Sequence, residues 1–152
     1  MQDVEKELKK TVKLEIFKYK NKMRYTPENI NHLKANEIFV FGSNESGIHG
    51  AGAAKLAFEK FGAVWKIGVG HEGKTYAIPT KDYVIKTLDL IEIKDYVNEF
   101  LVYAEKNPDF TFLVTEIGCG LAGYTANDIA PLFRGYPLNV VLPKKFVDIL
   151  RS

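Results

Sequence analysis

The apolar run Ile38-Phe39-Val40-Phe41 leads directly into Gly42-Ser43-Asn44-Glu45-Ser46-Gly47-Ile48-His49-Gly50-Ala51-Gly52, a stretch with four glycines. A continuous apolar run of this kind suits a strand buried on both faces, as at the centre of a parallel sheet. The glycines admit backbone angles closed to other residues and let a ligand come close to the main chain. Ala53, Ala54, Leu56, Ala57, Phe58 and Phe61 then recur at helical spacing, and Gly62 ends the pattern. Strand, glycine loop and helix in this order set loop amides beside the carboxyl end of a sheet strand.

The pattern recurs. Phe110 to Ile117 reads as a strand that feeds Gly118-Cys119-Gly120-Leu121-Ala122-Gly123-Tyr124, and Thr125 with Asp128 forms a capping pair for a following helix. Two such loops at one sheet edge can surround a diphosphate with N–H donors, without a lysine cluster. Neither loop has the G-x-G-x-x-G spacing with a distant acid, and no G-x-x-x-x-G-K-[ST] string occurs, which disfavours a hydride-transfer dinucleotide enzyme and a P-loop nucleotidase. The ligand-binding candidates are therefore Gly42, Ser43, Asn44, Gly47, His49, Gly50, Ala51 and Gly52 on the first loop. On the second they are Gly118, Cys119, Gly120, Leu121, Ala122, Gly123 and Tyr124.

Between and around these units, Thr26-Pro27 predicts the start of a helical turn, since proline loses nothing at a first helical position. Thr75 to Thr80 predicts a strand, with Pro79 near an edge or a strand end. Asp89 with Glu92 predicts a capped helix whose apolar face is Ile93, Tyr96, Val97, Phe100, Leu101 and Ala104, stopped by Asn107-Pro108. Leu138 to Leu142 predicts a last strand, followed by Pro143 and a short helix. Strands alternating with helices predict an α/β fold.

The chain has 152 residues, the size of one domain with a substantial core, and its 46% hydrophobic and 26% charged residues are those of a globular protein. A formal charge of +2 gives no argument for nucleic acid as a partner. The charge is uneven: residues 1–24 hold eight basic and four acidic residues, which leaves 13 and 15 for the rest. The expected division is a basic extension over 1–24, helix plus edge strand, and a domain over 25–152. The strand is expected where Val12, Leu14 and Ile16 alternate with Lys13 and Glu15. One cysteine excludes an internal disulfide and a multi-cysteine metal site. No metal or cofactor is expected. The apolar runs fall short of a membrane span and no signal-peptide core follows Met1, so the expectation is a cytoplasmic protein without a membrane partner.

Residues 36–142 resemble a divergent macro domain, the family that binds ADP-ribose and related NAD-derived ligands. The resemblance rests on Ile38 to Asn44, which is similar to an apolar strand ending in an Asn motif, and on the Gly47 to Ala54 loop. It rests also on Ile117 to Tyr124, which resembles the family's phosphate-cradling loop. It implies a three-layer α/β/α sandwich around a mixed central sheet, a distal-ribose contact for Asn44, and Tyr124 as the aromatic near that ribose. The family's usual adenine-reading Asp has no counterpart in the sequence, although Glu37 sits near the strand.

The family includes both binders and hydrolases of ADP-ribosyl bonds. Binding of ADP-ribose or a related nucleotide is the expected function. Removal of ADP-ribose from a modified acceptor, or a protein-interaction role for the charged extension, are the alternatives. Hydrolysis needs a group that orients water and groups that stabilise developing charge. The catalytic candidates are His49, Lys81, Asp82 and Glu116, and some members use a lysine with an acid. Against these stand a histidine serving only its loop, a Lys81–Asp82 surface ion pair, and a Glu116 pointing elsewhere. Cys119 would be a nucleophile only with a lowered pKa; a small residue beside a phosphate loop is the simpler reading.

Overall fold

The computed structural model describes residues 2–152. Helix α1 spans Gln2–Met23 and is followed by β1 (Glu37–Asn44), the short helix α2 (Gly52–Leu56) continuing into a π turn over Ala57–Phe61, and β2 (Gly70–Glu72). Then come β3 (Thr75–Lys81), α3 (Leu90–Lys106), β4 (Thr111–Val114), α4 (Ala126–Ile129) with a 3-10 turn over Ala130–Phe133, β5 (Val140–Val141) and α5 (Lys144–Arg151). The strands form one five-stranded sheet in the order β2-β3-β1-β4-β5. Strands β3 and β4 flank β1 in parallel, β5 runs parallel to β4, and β2 is antiparallel to β3. The architecture is a three-layer α/β/α sandwich on a mixed sheet, as the sequence predicts.

The alternation along β1 explains the layers. Ile38 and Val40 face one core with Ile78, Phe112 and Val114, against Ile93, Val97 and Phe100 of α3 and Phe133 and Phe146 beyond. Phe39 and Phe41 face the other, against Ala57, Phe61 and Ala63. A strand buried on both faces reads as an unbroken apolar run because neither side meets water. In α3, Ile93, Val97 and Phe100 are fully buried. Their burial contributes about 5–9 kcal/mol before conformational entropy is set against it.

Several expectations need correction. Residues 12–16 are helical within α1, not an edge strand, and Val12 and Leu14 are about half exposed. Val4, Leu8 and Val12 recur every four residues, and the lysines and glutamates around them favour helix, which outweighs a short alternation. Thr26 starts no helical turn: its N–H donates to Leu142 O at 2.9 Å and its hydroxyl to Val141 O at 3.0 Å, so the segment runs beside β5. Asp89 is the first residue flanking α3, but its side chain caps nothing. Strand β4 stops at Val114, and β5 is only two residues long. By contrast, the Thr125–Asp128 capping box is formed in full. Pro79 lies past the stretch Thr75 to Ala77 that β2 covers, so its missing N–H faces no partner strand on that side.

Candidate functional site

Because β1, β3 and β4 are parallel, their carboxyl ends share one edge of the sheet, and so do the loops that follow them. The chain leaves β1 for β3 on one side and then crosses to β4 on the other, which opens a crevice at the point where direction reverses. A cavity of about 410 Å³ occupies that edge, within the size range of small-molecule sites. Both glycine loops line it. Gly42, Ser43, Asn44, Gly50, Ala51 and Gly52 come from the first, and Gly118, Gly120, Leu121 and Ala122 from the second.

The first loop is held by its own side chains. Asn44 Nδ2 donates to Ile48 O, and Asn44 Oδ1 accepts from Ile48 N and from Ser46 Oγ, each at 2.9 Å. Behind it lies a strap over residues 64–68. Ser43 Oγ donates to Gly68 O at 2.5 Å, and Lys66 N to Gly47 O at 2.9 Å. Gly47 is not part of that cavity's lining; its φ is 71°, and a β-carbon there would fall 2.3 Å from Ile67 N. It is a glycine because the strap presses on it.

His49 is also outside the cleft. Its ring is 1% exposed, with edge contacts to Phe41 and Trp65, and Nε2 donates to Val64 O and Ile67 O at 2.9 and 3.1 Å. The histidine expected to touch ligand or water therefore fastens the loop to the strap.

The second loop is clasped to the connection between β3 and α3. Thr87 Oγ1 donates to Ala122 O at 3.0 Å, and Tyr124 OH to Leu88 O at 2.6 Å. Tyr124 N donates to Gly118 O and Gly123 N to Gly120 O, closing the loop on itself. Gly123 turns at φ 90° and is not part of the cavity's lining. Neither loop needs a ligand to hold its shape.

What the loops leave unpaired is more informative. Among the described residues, the N–H groups of Gly50, Ala51, Gly52 and Ala53 and those of Gly118, Gly120, Leu121 and Ala122 make no hydrogen bond. All eight residues line the cavity. Lys81, at the end of β3, lines it too, and its ammonium has no partner among the described residues. The expected Lys81–Asp82 ion pair does not form. Asp82 Oδ1 instead accepts from Val84 N and Lys86 N at 2.9 Å, capping the turn, and Asp82 lies outside the cavity. Glu116 lines the cavity, with Lys145 Nζ 3.5 Å from its carboxylate. Cys119 does not line this cavity. Burial, and then the charge of Glu116, push its thiol up to about 11, so it carries a proton at neutral pH.

A second cavity of about 780 Å³ adjoins the first. Gly52, Ala53, Thr115, Glu116 and Gly120 line both, so the two are lobes of one cleft with a glycine-rich waist. Cys119 and Tyr124 belong to the second lobe, with Phe39 and Lys145. Its far wall is Pro27 to Asn31, a segment that sequence reasoning did not include in the site. The signal lies in Thr26-Pro27, whose proline suits a wall segment as well as a helix start. Thr26 hydrogen-bonded beside β5 is what brings it there.

The chain has no significant match among family models, curated proteins or solved structures. Among the described residues no helix is long and apolar enough to cross a membrane.

Proposed function

We propose that the cleft binds ADP-ribose or a closely related NAD-derived sugar diphosphate. The observation that carries this is the two sets of unpaired amides, Gly50 to Ala53 and Gly118 with Gly120 to Ala122, lining one cavity with a free Lys81 ammonium. Backbone N–H groups in glycine-rich turns suit the diffuse charge of a diphosphate, and they are oriented before the ligand arrives. The two lobes suit a ligand with a group on each side of that diphosphate. In this reading the distal sugar occupies the lobe with Asn44 and Lys81. The nucleoside occupies the lobe of Phe39, Tyr124 and Pro27 to Asn31. The resemblance of residues 36–142 to macro domains favours the same ligand class.

Asn44 has a structural part beside the ribose contact that the resemblance implies. Its carboxamide oxygen already accepts two hydrogen bonds and its amide donates one, so it shapes the loop and keeps a single N–H for a sugar. Titration calorimetry against ADP-ribose, ADP, AMP, NAD and an unrelated mononucleotide tests the proposal. Preference for the sugar diphosphates supports it, and equal or absent heats for all of them reject it.

A second reading, hydrolysis of an ADP-ribosyl bond, is favoured by Lys81 and Glu116 lining the same cavity. A cation and a carboxylate beside one sugar can stabilise developing charge and orient water. Release of ADP-ribose from a modified acceptor, lost in both Lys81→Met and Glu116→Gln, supports turnover. Retained ligand and intact acceptor after prolonged incubation leave a binding protein.

A further inference from the structure

Ile85 is a β-branched residue at φ 65°, in the left-handed region that such residues almost never occupy. It lies in the turn between β3 and α3, and it lines the smaller lobe of the cleft. A strained residue persists only where its surroundings over-determine it, and such residues gather at ligand clamps. The surroundings here are plain. Asp82 Oδ1 accepts from Val84 N and Lys86 N at 2.9 Å, Asp82 N donates to Lys86 O at 2.8 Å, and Ile85 N donates to Asp82 O at 3.1 Å. Lys81 and Thr87 then bridge the base of the hairpin, and Thr87 ties it to Ala122 on the second glycine loop.

An asparagine or glycine would take this backbone conformation at much lower cost. The isoleucine therefore does something the turn itself does not need. Leu121, 80% exposed, and Ile48, 45% exposed, line the same lobe with Ile117 and several alanines, so large apolar side chains stand beside Asn44, Lys81, Glu116 and the loop amides. The diphosphate has no use for them, but the carbon-bearing face of a sugar does.

We propose that Ile85, fixed by the Asp82-capped hairpin, closes over the distal sugar with Leu121 and sets a preference for a sugar-bearing diphosphate over a bare one. This rests on the sugar-diphosphate reading of the cleft. Ile85 acts as a specificity residue and takes no part in bond making.

The test compares ADP-ribose with ADP by calorimetry, alongside thermal melts, for the full chain and two variants. Wild type is expected to prefer ADP-ribose. Ile85→Gly is expected to lose about tenfold of that preference through ADP-ribose alone, with ADP affinity unchanged, and to melt no lower than wild type because the strain is relieved. Ile85→Val, which keeps an apolar branched side chain, is expected to retain the preference. Unchanged preference in Ile85→Gly, an equal loss for ADP and ADP-ribose, or a lower melting temperature in Ile85→Gly together with retained preference overturns the proposal. If wild type binds neither ligand, the underlying reading of the cleft fails instead, and this proposal with it.

Discussion

The Asn44 carboxamide holds Ile48 from both sides, donating through Nδ2 to its carbonyl and accepting through Oδ1 from its N–H, both at 2.9 Å. A side-chain amide thus imitates a strand partner and folds residues 45–47 into a closed loop. Removing it leaves the Ile48 groups without those partners. Asn44→Ala is expected to cost about 1–3 kcal/mol of stability, the net worth of two solvent-exposed hydrogen bonds at about 0.5–1.5 kcal/mol each. For a chain of this size, that lowers the melting temperature by about 2–4 °C per kcal/mol. Sugar-diphosphate affinity should fall as well, because Gly50 to Gly52 follow directly on the clamp. A variant that melts like wild type would show that the loop does not depend on Asn44.

Lys81 predicts the opposite profile. Its ammonium lines the cavity without a protein partner, so Lys81→Met breaks no ion pair and stability should stay within about 0.5 kcal/mol of wild type. Affinity for ADP-ribose should fall about tenfold, and its weakening with added salt should become shallower, since one charge pair is gone. Calorimetry at low and high salt checks both. An unchanged salt dependence would place the phosphates away from Lys81.

Two glycines separate folding from binding. A β-carbon on Gly68 would sit 2.0 Å from the Asn44 carbonyl oxygen, where backbone meets backbone and neither side can yield. Gly68→Ala should therefore destabilise by about 3 kcal/mol or more. Gly120 has nothing within 4 Å of the corresponding position, yet it lines both lobes of the cleft. Gly120→Ala should fold with stability unchanged or raised by about 0.4–1 kcal/mol, through the unfolded chain, and still weaken ligand binding. Normal binding by Gly120→Ala would put the ligand elsewhere.

The contrast shows what was legible in the sequence. The central strand was, because burial on both faces leaves an unbroken apolar run at Ile38 to Phe41. The sharing of one edge by the two glycine loops was legible too, because parallel strands bring their carboxyl ends together. The roles of particular loop residues were not. His49 looks like chemistry in a glycine loop, but Phe41, Trp65 and the carbonyls of the 64–68 strap surround it, and those contacts span 15 residues or more between histidine and carbonyl partners. Lys81-Asp82 looks like an ion pair, yet the amides of Val84 and Lys86 claim the aspartate and leave the lysine to the cleft. The Pro27 to Asn31 wall was hidden because a hydrogen bond to β5, more than a hundred residues away, places it. The three-residue β2 carries too few side chains to show any period.

Cys119 supplies the last prediction. Its thiol is pushed up to about 11 from an ordinary 9.0, by burial first and by Glu116 next, with Lys145 opposing. At neutral pH the folded protein should react slowly with iodoacetamide, and the rate should climb about tenfold per pH unit until the thiol ionises near 11. The same shift fixes a sign for stability. The folded state holds this proton more tightly than the unfolded chain, so the contribution is constant below pH 9 and stability falls as pH rises from 9 to 11. Cys119→Ser should remove that slope, and Glu116→Gln should speed alkylation by removing the neighbouring charge. Binding, and any turnover, should survive Cys119→Ser because a protonated thiol is no nucleophile. Rapid alkylation at neutral pH that levels off below pH 9 would instead mean an activated thiolate, and would return Cys119 to the set of reacting groups.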